Sequence, residues 1–414
     1  MIDVVIKLLQ KNNIKDYLIQ DETRESVELF FVKRKTDLVR SKKVREIKLS
    51  VYRDFEDFRG TSVAYIYPEM DEIMMEKEIL SAYESAKHIK NPYFELPMGT
   101  KIQIENDITD LKTYAVNMAK ALYLAEDEVK GAFINSSEFF AKKNLIRIVN
   151  SAGCDVSYVK TGIEGEFVVQ CVTDKEDVEL YQDFKYEDMD TQALKNKALD
   201  TLNMVKDRAV ATKAPADLSE YPIVITDAYV GELLKFYLNR CNASYIYPGY
   251  SDYHKGYKIP ECINIKGIPD KPFSDEGIPM VDKDIIKDGV VENIHGSVAF
   301  LSYVKSDQVG EYKRIECSNG DEKLDEMLTG KYIMVKNFSD FQVDTYDGHF
   351  GGEFRLAYLC DEGKITILTG GTVSGNIMEE SNKLVFSKER YKDAYYEGPA
   401  AVKIESCNMN LIKV

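Results

Sequence analysis

Two carboxylates, Asp227 and Glu232, lie near the start of the segment TDAYVGELLKFYLNRC, residues 226–241. A short apolar stretch precedes this segment, and its own apolar residues recur at helical spacing, which predicts a strand followed by an amphipathic helix. Carboxylates suit hard ions such as Mg²⁺ or Mn²⁺. Side chains five positions apart on a regular helix point about 140° apart, so the pair would converge on one ion only if the first turn were distorted.

Both carboxylates also have ordinary structural explanations. Asp227 lies just before the helical pattern begins, where an N-cap residue is expected. Glu232 lies opposite the predicted apolar stripe and is expected to face solvent. That stripe consists of Val230, Leu233, Leu234, Tyr237 and Leu238. We therefore predict no metal at this pair of side chains.

Other residues that could do chemistry are scattered. The four histidines have no metal-ligand spacing, and the glycine-rich segments GHFGG and TGGTVSGN lack the lysine of a phosphate-binding loop. Seven cysteines occur singly, without CxxC, which indicates reduced thiols in a cytosolic protein. The cysteines are Cys154, Cys171, Cys241, Cys262, Cys317, Cys360 and Cys407.

The elements that would position Asp227 differ between the two halves of the chain. In the first half, strands are predicted at 26–34, 46–55 and 61–68, a hairpin around 150–153, and helices at 70–89, 107–127 and 191–211. The acidic segment 173–190 is interpreted as a solvated loop or helix start. These strands come in runs and do not alternate strictly with helices, which favours the α+β class over a doubly wound sheet.

The second half is predicted to consist mostly of short strands separated by Gly, Asp and Asn. The strands are expected within 290–300, 331–338, 353–371 and 400–409. This pattern favours a mostly antiparallel sheet or barrel. We predict an N-terminal α+β domain at 1–215 and a C-terminal β-rich domain at 216–414 that begins with the Asp227 helix.

Composition excludes several classes of function. The chain has 414 residues, 44% of them hydrophobic, and a net charge of −16. A broad nucleic-acid surface needs a positive field, so none is expected. The basic stretch 33–48 is interpreted as a solvated strand face and loop. The first residues, MIDVVIKLLQKNN, predict a short amphipathic helix, not a signal peptide, and no apolar run is long enough to span a membrane.

Several segments together resemble the TldD/PmbA family, sometimes called modulators of DNA gyrase and linked to peptide maturation. They are PFSDEGIPMVDKDIIKDGVVENIHGSVAF, FQVDTYDGHFGGEFRLAYLCDEGKI, GGTVSGNIMEE, EGPAAVKIESCNM and, in the first half, FINSSEFFAKKNLIRIVNSAG. Each is short, but their order and spacing are similar to the family's over nearly the whole chain.

The resemblance implies an altered zinc site. The family's zinc branch carries a HExxxH-type motif and a cysteine late in the chain, and its register places Asp227 at the first ligand, Ala228 at the general base and Glu232 at the second ligand. Ala228 cannot accept a proton. The stretch 388–404, where that cysteine would lie, has neither Cys nor His. Cys407 is interpreted as a small core residue.

The resemblance therefore favours the PmbA/TldE branch, which lacks the full zinc motif. It implies a subunit that pairs with a TldD-like zinc subunit in peptide proteolysis or maturation, with zinc only in the partner and no cofactor of its own. The alternatives are an active metal-dependent hydrolase using Asp227, Glu232 and a further His, or a homodimeric peptide-binding module. A possible substrate or partner loop contains Tyr245, Tyr247, Tyr250, Tyr253 and His254.

Overall fold

The computed structural model describes residues 1–104, 110–174, 177–215, 218, 221–405 and 408–410. Its strands form three sheets, of seven, six and nine strands. The seven-stranded sheet lies in the first half of the chain, and the other two are built almost entirely from the second half. Helices pack on all three, so the α+β class is confirmed.

Two long hairpins form the centre of the first-half sheet. Its strands are β1 Asp16–Val32, β2 Lys35–Asp54, β3 Arg59–Ile66, β4 Lys101–Gln103, β5 Phe133–Asn150, β6 Asp155–Val172 and β7 Asp177–Tyr186. The order is β3-β2-β1-β5-β6-β4, and β7 also pairs with β6. All of these neighbours are antiparallel except β4 and β6. The hairpin turn predicted at 150–153 is confirmed.

Four helices cover this sheet with their apolar faces. They are α1 Ile2–Lys11, α2 Glu72–Ser85, α3 Leu111–Glu128 and α4 Thr191–Ala209, and a 3-10 turn, Ala86–His88, follows α2. The first two share a core with β1–β3, and the last two share one with β5–β7. Asp110 caps α3 by accepting the Lys112 N–H at 3.1 Å. The start predicted at 107 lies outside the described residues.

The second half forms the remaining two sheets and five helices. The strands are β8 Thr212–Lys213, β9 Ile223–Thr226, β10 Ile265–Ile268, β11 Lys283–Lys287, β12 Val290–Val291, β13 Arg314–Cys317, β14 Tyr332–Val343, β15 His349–Asp361, β16 Lys364–Thr369, β17 Gly371–Asn376, β18 Val385–Phe386, β19 Arg390–Lys392, β20 Tyr396–Pro399, β21 Ala401–Ile404 and β22 Asn408–Asn410. The helices are α5 Ala228–Arg240, α6 Ala243–Ile246, α7 Val298–Tyr303, α8 Leu324–Met327 and α9 Ile377–Glu380, and a 3-10 turn covers Ser381–Lys383.

Helix α5 joins the two second-half sheets. The six-stranded sheet has the order β12-β11-β10-β13-β20-β19. The other has the order β18-β21-β9-β14-β15-β16-β8, with β17 paired to β15 and β22. Buried residues of α5 share one core with residues of both sheets. Most strand pairs are antiparallel, as predicted, and β13–β20, β9–β14 and β8–β16 are parallel.

A further core crosses from the first half to the second. Tyr52 and Tyr158 of the first-half sheet pack with Phe273, Ile278 and Val298 of the second half. The rings of Tyr158 and Phe273 are 6.2 Å apart. The domain division at residue 215 stays a prediction, but the two halves share buried apolar surface across it.

Two predicted elements are wrong. The acidic segment 173–190 contains β7, in which Val178, Leu180 and Phe184 are buried while the acidic residues between them face solvent. The segment 290–300 was expected to be a strand, but β12 has two residues and α7 begins at Val298. Gly296, with φ of 148°, separates the two.

Two expectations about the chain as a whole concern its helices and its cysteines. None of the helices in the described part of the chain combines the length and apolarity needed to cross a bilayer. The six cysteines within the described ranges are free thiols. Cys407, predicted to lie in the core, is outside those ranges.

Candidate functional site

Asp227 lies between a central strand and a buried helix. Strand β9 is buried along its length, and it pairs with β14 on one side and β21 on the other. Helix α5 begins directly afterwards, at Ala228. Because both elements are held in the core, the chain turns sharply between them, and Asp227 makes that turn.

The backbone of Asp227 is strained. Its φ is 60° and its ψ is −130°, a combination that residues other than glycine rarely adopt. Its N–H donates to the Ala400 carbonyl at 2.8 Å, and its carbonyl accepts from the Val230 N–H at 3.1 Å. Hydrogen bonds at both backbone polar groups therefore hold the turn in this conformation.

The Asp227 side chain bonds a lysine and does not cap the helix. Asp227 occupies the N-cap position, as predicted, but its carboxylate accepts no hydrogen bond from the backbone of α5. It accepts one from Lys336 Nζ of β14, at 2.7 Å. The two side chains are 40% and 27% exposed. The position that the family register gives to a zinc ligand is therefore occupied by a half-exposed ion pair.

Glu232 points to a different partner. Its carboxylate accepts a hydrogen bond from Lys235 Nζ at 2.6 Å, and its side chain is 48% exposed. The apolar stripe on the opposite face is buried, as predicted for Val230, Leu233, Leu234, Tyr237 and Leu238. Gly231 lies within this buried face, where a Cβ would be 2.6 Å from Tyr396 Cγ. The two carboxylates thus bind separate lysines.

Helix α4 carries two more charged groups that interact electrostatically with the Asp227–Lys336 pair. Burial raises the pKa of Asp200, with Lys336 opposing that shift and Asp227 adding to it. Burial lowers the pKa of Lys197, and the nearby carboxylates, Asp227 among them, oppose the shift. The Nζ of Lys197 donates to the Asp183 carbonyl at 3.3 Å. We call Asp227, Lys336, Asp200 and Lys197 the Asp227 cluster.

Aromatic side chains border the Asp227 cluster. The Tyr229 hydroxyl accepts the Phe338 N–H at 3.0 Å, and burial raises the pKa of that tyrosine. Burial also raises the pKa of Tyr391, and the negative charges of Asp393 and Asp227 add to this effect. Tyr391 and Asp393 come from the stretch 388–404, where the resemblance implies a cysteine in the zinc branch. In the stretch 388–404 this chain therefore has the phenol of Tyr391 and the carboxylate of Asp393 near Asp227.

The donor set does not fit zinc. Within the described residues, no three side chains of His, Cys, Asp or Glu come close enough to hold a metal ion. The buried His295 donates from Nε2 to the Leu238 carbonyl at 2.9 Å and accepts the Tyr312 N–H at Nδ1, 3.3 Å. Burial lowers its pKa, and because both ring nitrogens bond the backbone, neither is available to a metal ion. The third donor required by the metal-dependent alternative is not supplied by the described part of the chain.

The Asp227 cluster can bind polar groups but lacks the parts of a zinc hydrolase. It offers two ammonium and two carboxylate groups, which suit the charged and polar groups of a peptide. Ala228 supplies no base. Three residues of the cluster, Lys336, Asp200 and Lys197, were not predicted from the sequence. One signal was present, because Lys197 falls at helical spacing with the buried Leu194 and Thr201 of α4.

The predicted tyrosine loop is anchored by a buried arginine. Arg240 donates to the carbonyls of Tyr250 and Tyr346, at 2.5 and 3.1 Å, and to the Asp252 carboxylate at 2.9 Å. Tyr253 is only 4% exposed and belongs to the core, so it presents no surface to a partner. Tyr247 and Tyr250 are 47% and 54% exposed.

The rest of the predicted loop is more exposed than Tyr253. Tyr245 is partly buried and its ring lies 5.6 Å from that of Tyr346. His254 is exposed, with Nδ1 3.0 Å from the Asp252 carbonyl. A substrate or partner role for Tyr245, Tyr247, Tyr250 and His254 stays a prediction.

The second half of the chain matches a known domain family. Residues 218–410 match the PmbA/TldA metallopeptidase C-terminal domain. The resemblance to the TldD/PmbA family is confirmed. The matched range contains Asp227, Glu232 and Lys336, whereas Lys197 and Asp200 lie before it. A comparison with curated proteins finds no match.

Three solved structures share the fold over nearly the whole chain. TldE from Thermococcus kodakarensis is 14% identical with a TM-score of 0.77, covering 98% of this chain and 100% of its own. A protein named as a modulator of a DNA gyrase from Thermotoga maritima is 15% identical with a TM-score of 0.79, covering 98% of each chain. Another from Bacteroides thetaiotaomicron is 15% identical with a TM-score of 0.78, covering 99% and 98%. At these identities the likeness establishes the fold alone.

Proposed function

We propose that this chain is a PmbA/TldE-like subunit without zinc, which pairs with a TldD-like zinc subunit in the proteolysis or maturation of peptides. One observation carries the proposal. At the turn where the family register expects the first zinc ligand and the base, the chain has the Asp227–Lys336 ion pair and Ala228. A lysine bound to the carboxylate competes with a cation for it.

The Asp227 cluster supports a role in peptide binding. Its charged groups come from α4 of the first half and from the β9–α5 turn and β14 of the second, and phenols border them. Such a surface can align a peptide that the partner's zinc cleaves. Zinc in the partner would supply the activated water, while this chain's own side chains would hold polar groups of the substrate.

The first measurement is the metal content of the protein after purification without chelators. We expect far less than one metal ion per chain, with Asp227→Ala and Glu232→Ala unchanged from the parent. About one ion per chain, lost in both variants, would establish the metal-dependent hydrolase instead.

The second measurement is pairing and cleavage. The chain alone should not cleave a fluorogenic unstructured peptide, and mixing it with a TldD-like zinc subunit should give a co-eluting complex whose cleavage EDTA abolishes. EDTA-sensitive cleavage by the pure chain would refute the proposal. A stable homodimer that binds peptides but no TldD-like subunit would favour the peptide-binding module.

A further inference from the structure

A cavity of about 230 Å³ lies between the first-half sheet and loops of the second half, away from the Asp227 cluster. One wall is a face of β1 and β2, where Leu18 pairs with Ser50 and Gln20 with Lys48. The other wall is formed by 270–276, 297–299, 311 and 313. We call this space the Glu276 cavity.

One side of the Glu276 cavity is apolar. Leu18, Tyr52, Phe94 and Val298 line it, and each is at least nine-tenths buried. These four side chains belong to the core that joins the two halves. Their packing gives the cavity a fixed apolar wall that can hold an apolar side chain of a ligand.

Two lysine side chains on the lining have no partner within the described part of the chain. Lys271 is paired with Asp275, and Asp270 accepts from Lys160 at 3.0 Å. The remaining charged carboxylate of the lining, Glu311, accepts from Asn242 Nδ2 at 3.2 Å. The side chains of Lys48 and Lys313 are exposed and form no ion pair or hydrogen bond with any described residue. Two lysines without a side-chain partner among the described residues therefore line the cavity together with its apolar wall, a combination that suits a ligand with an anionic group next to an apolar one.

The Glu276 carboxyl is part of the lining, next to Val298 of the apolar side. It accepts hydrogen bonds from Ser274 Oγ at 3.1 Å and from the Val298 N–H at 3.4 Å. Burial raises its pKa, and Asp275 adds to the shift. The two hydrogen bonds hold this carboxyl in place on the lining.

We propose that the Glu276 cavity binds the C-terminal end of a peptide. The peptide's carboxylate would lie against Lys48 and Lys313, and its last, apolar side chain against Leu18 and Phe94. That the ligand is a peptide, and not another molecule that carries a carboxylate next to an apolar group, rests on the proposed function. The site itself rests on the cavity's lining alone.

The test is calorimetric titration of the full chain with three probes. They are the tripeptide Ala-Ala-Phe with a free carboxylate, the same tripeptide as its C-terminal amide, and 3-phenylpropionate. We expect the free tripeptide to bind and the amide to bind about tenfold or more weakly, because a charge-assisted contact is lost. Phenylpropionate should also bind more weakly than the free tripeptide.

The variants are Lys48→Met and Lys313→Met, with Lys35→Met as the matched control. Each of the first two substitutions should weaken binding of the free tripeptide by about tenfold. Lys35 lies on the same strand β2 as Lys48 but outside the cavity lining, so its variant should bind like the parent. None of the three lysine side chains has a partner among the described residues, so the variants should fold normally.

The outcomes separate the possibilities. No binding of the free tripeptide at millimolar concentration, or equal weakening by Lys35→Met, would overturn the site. Equal binding of phenylpropionate and the tripeptide would overturn the peptide assignment. Because the titration uses the isolated chain, its failure would leave the pairing with a zinc subunit untouched, and the reverse also holds.

Discussion

Replacing Asp227 by glycine and by alanine tests whether the turn is strained. Both substitutions remove the ion pair with Lys336, which is half-exposed and contributes no more than about 1 kcal/mol. They differ at the backbone. Alanine keeps a Cβ at φ of 60° and ψ of −130°, whereas glycine adopts this conformation without a steric penalty.

The expected difference follows from two opposing contributions. A residue held in such a sparsely populated region costs roughly 1–3 kcal/mol. Glycine loses about 0.5–1 kcal/mol more conformational freedom than alanine on folding. The glycine variant should therefore be more stable than the alanine variant by about 1 kcal/mol.

Urea unfolding at constant slope measures this difference. The matched control is Glu232, an exposed residue inside α5, the helix that follows Asp227. There, glycine should be about 1 kcal/mol less stable than alanine, because the helical backbone favours alanine. The sign must reverse between the two positions. If the Asp227→Gly variant is no more stable than Asp227→Ala, the strain argument is wrong.

Three further predictions concern the core. Gly231→Ala should lower the free energy of unfolding in urea by about 1–3 kcal/mol, because the added Cβ would be 2.6 Å from Tyr396 Cγ. An unchanged unfolding midpoint would show that the Tyr396 ring moves aside easily. Arg59→Met should lower the free energy of unfolding by about 2 kcal/mol in the same assay, because it removes hydrogen bonds of 2.6 and 2.8 Å to the Asp54 carboxylate. That carboxylate is 40% exposed, so the loss should be smaller than for a fully buried ion pair. Burial lowers the pKa of His295 below its unfolded value, so the unfolded state gains a proton that the folded state does not. The free energy of unfolding should thus fall as pH falls through about 6.5, and less steeply in His295→Asn; equal slopes in the two proteins would contradict this.

Local patterns predicted the elements whose own residues define them. The stripe of α5 and the length of α4 follow from helical spacing, and the hairpin at 150–153 follows from turn-forming residues between two apolar runs. Strand β7 was missed because its acidic residues dominate the composition of the segment. The alternation of apolar and polar residues in β7 defines a buried face only when the strand pairs with β6.

The Asp227 cluster could be predicted only in part. Asp227, Ala228 and Glu232 were found because they are close in sequence and match a family register. Lys336 lies 109 residues from Asp227, and nothing local indicates that their side chains meet. The contribution of α4 depends on how the first half packs against the second, which no short window of sequence contains.

The core shared by Tyr52, Tyr158, Phe273 and Val298 limits how this chain can be recombined. A chimaera made at residue 215, with the first half of one relative and the second half of another, would place a foreign sheet against Phe273 and Val298. Substitutions on one side of this contact therefore require compensating substitutions on the other. Exchanging one half alone would therefore disturb this packing, whereas exchanging both halves together would keep it.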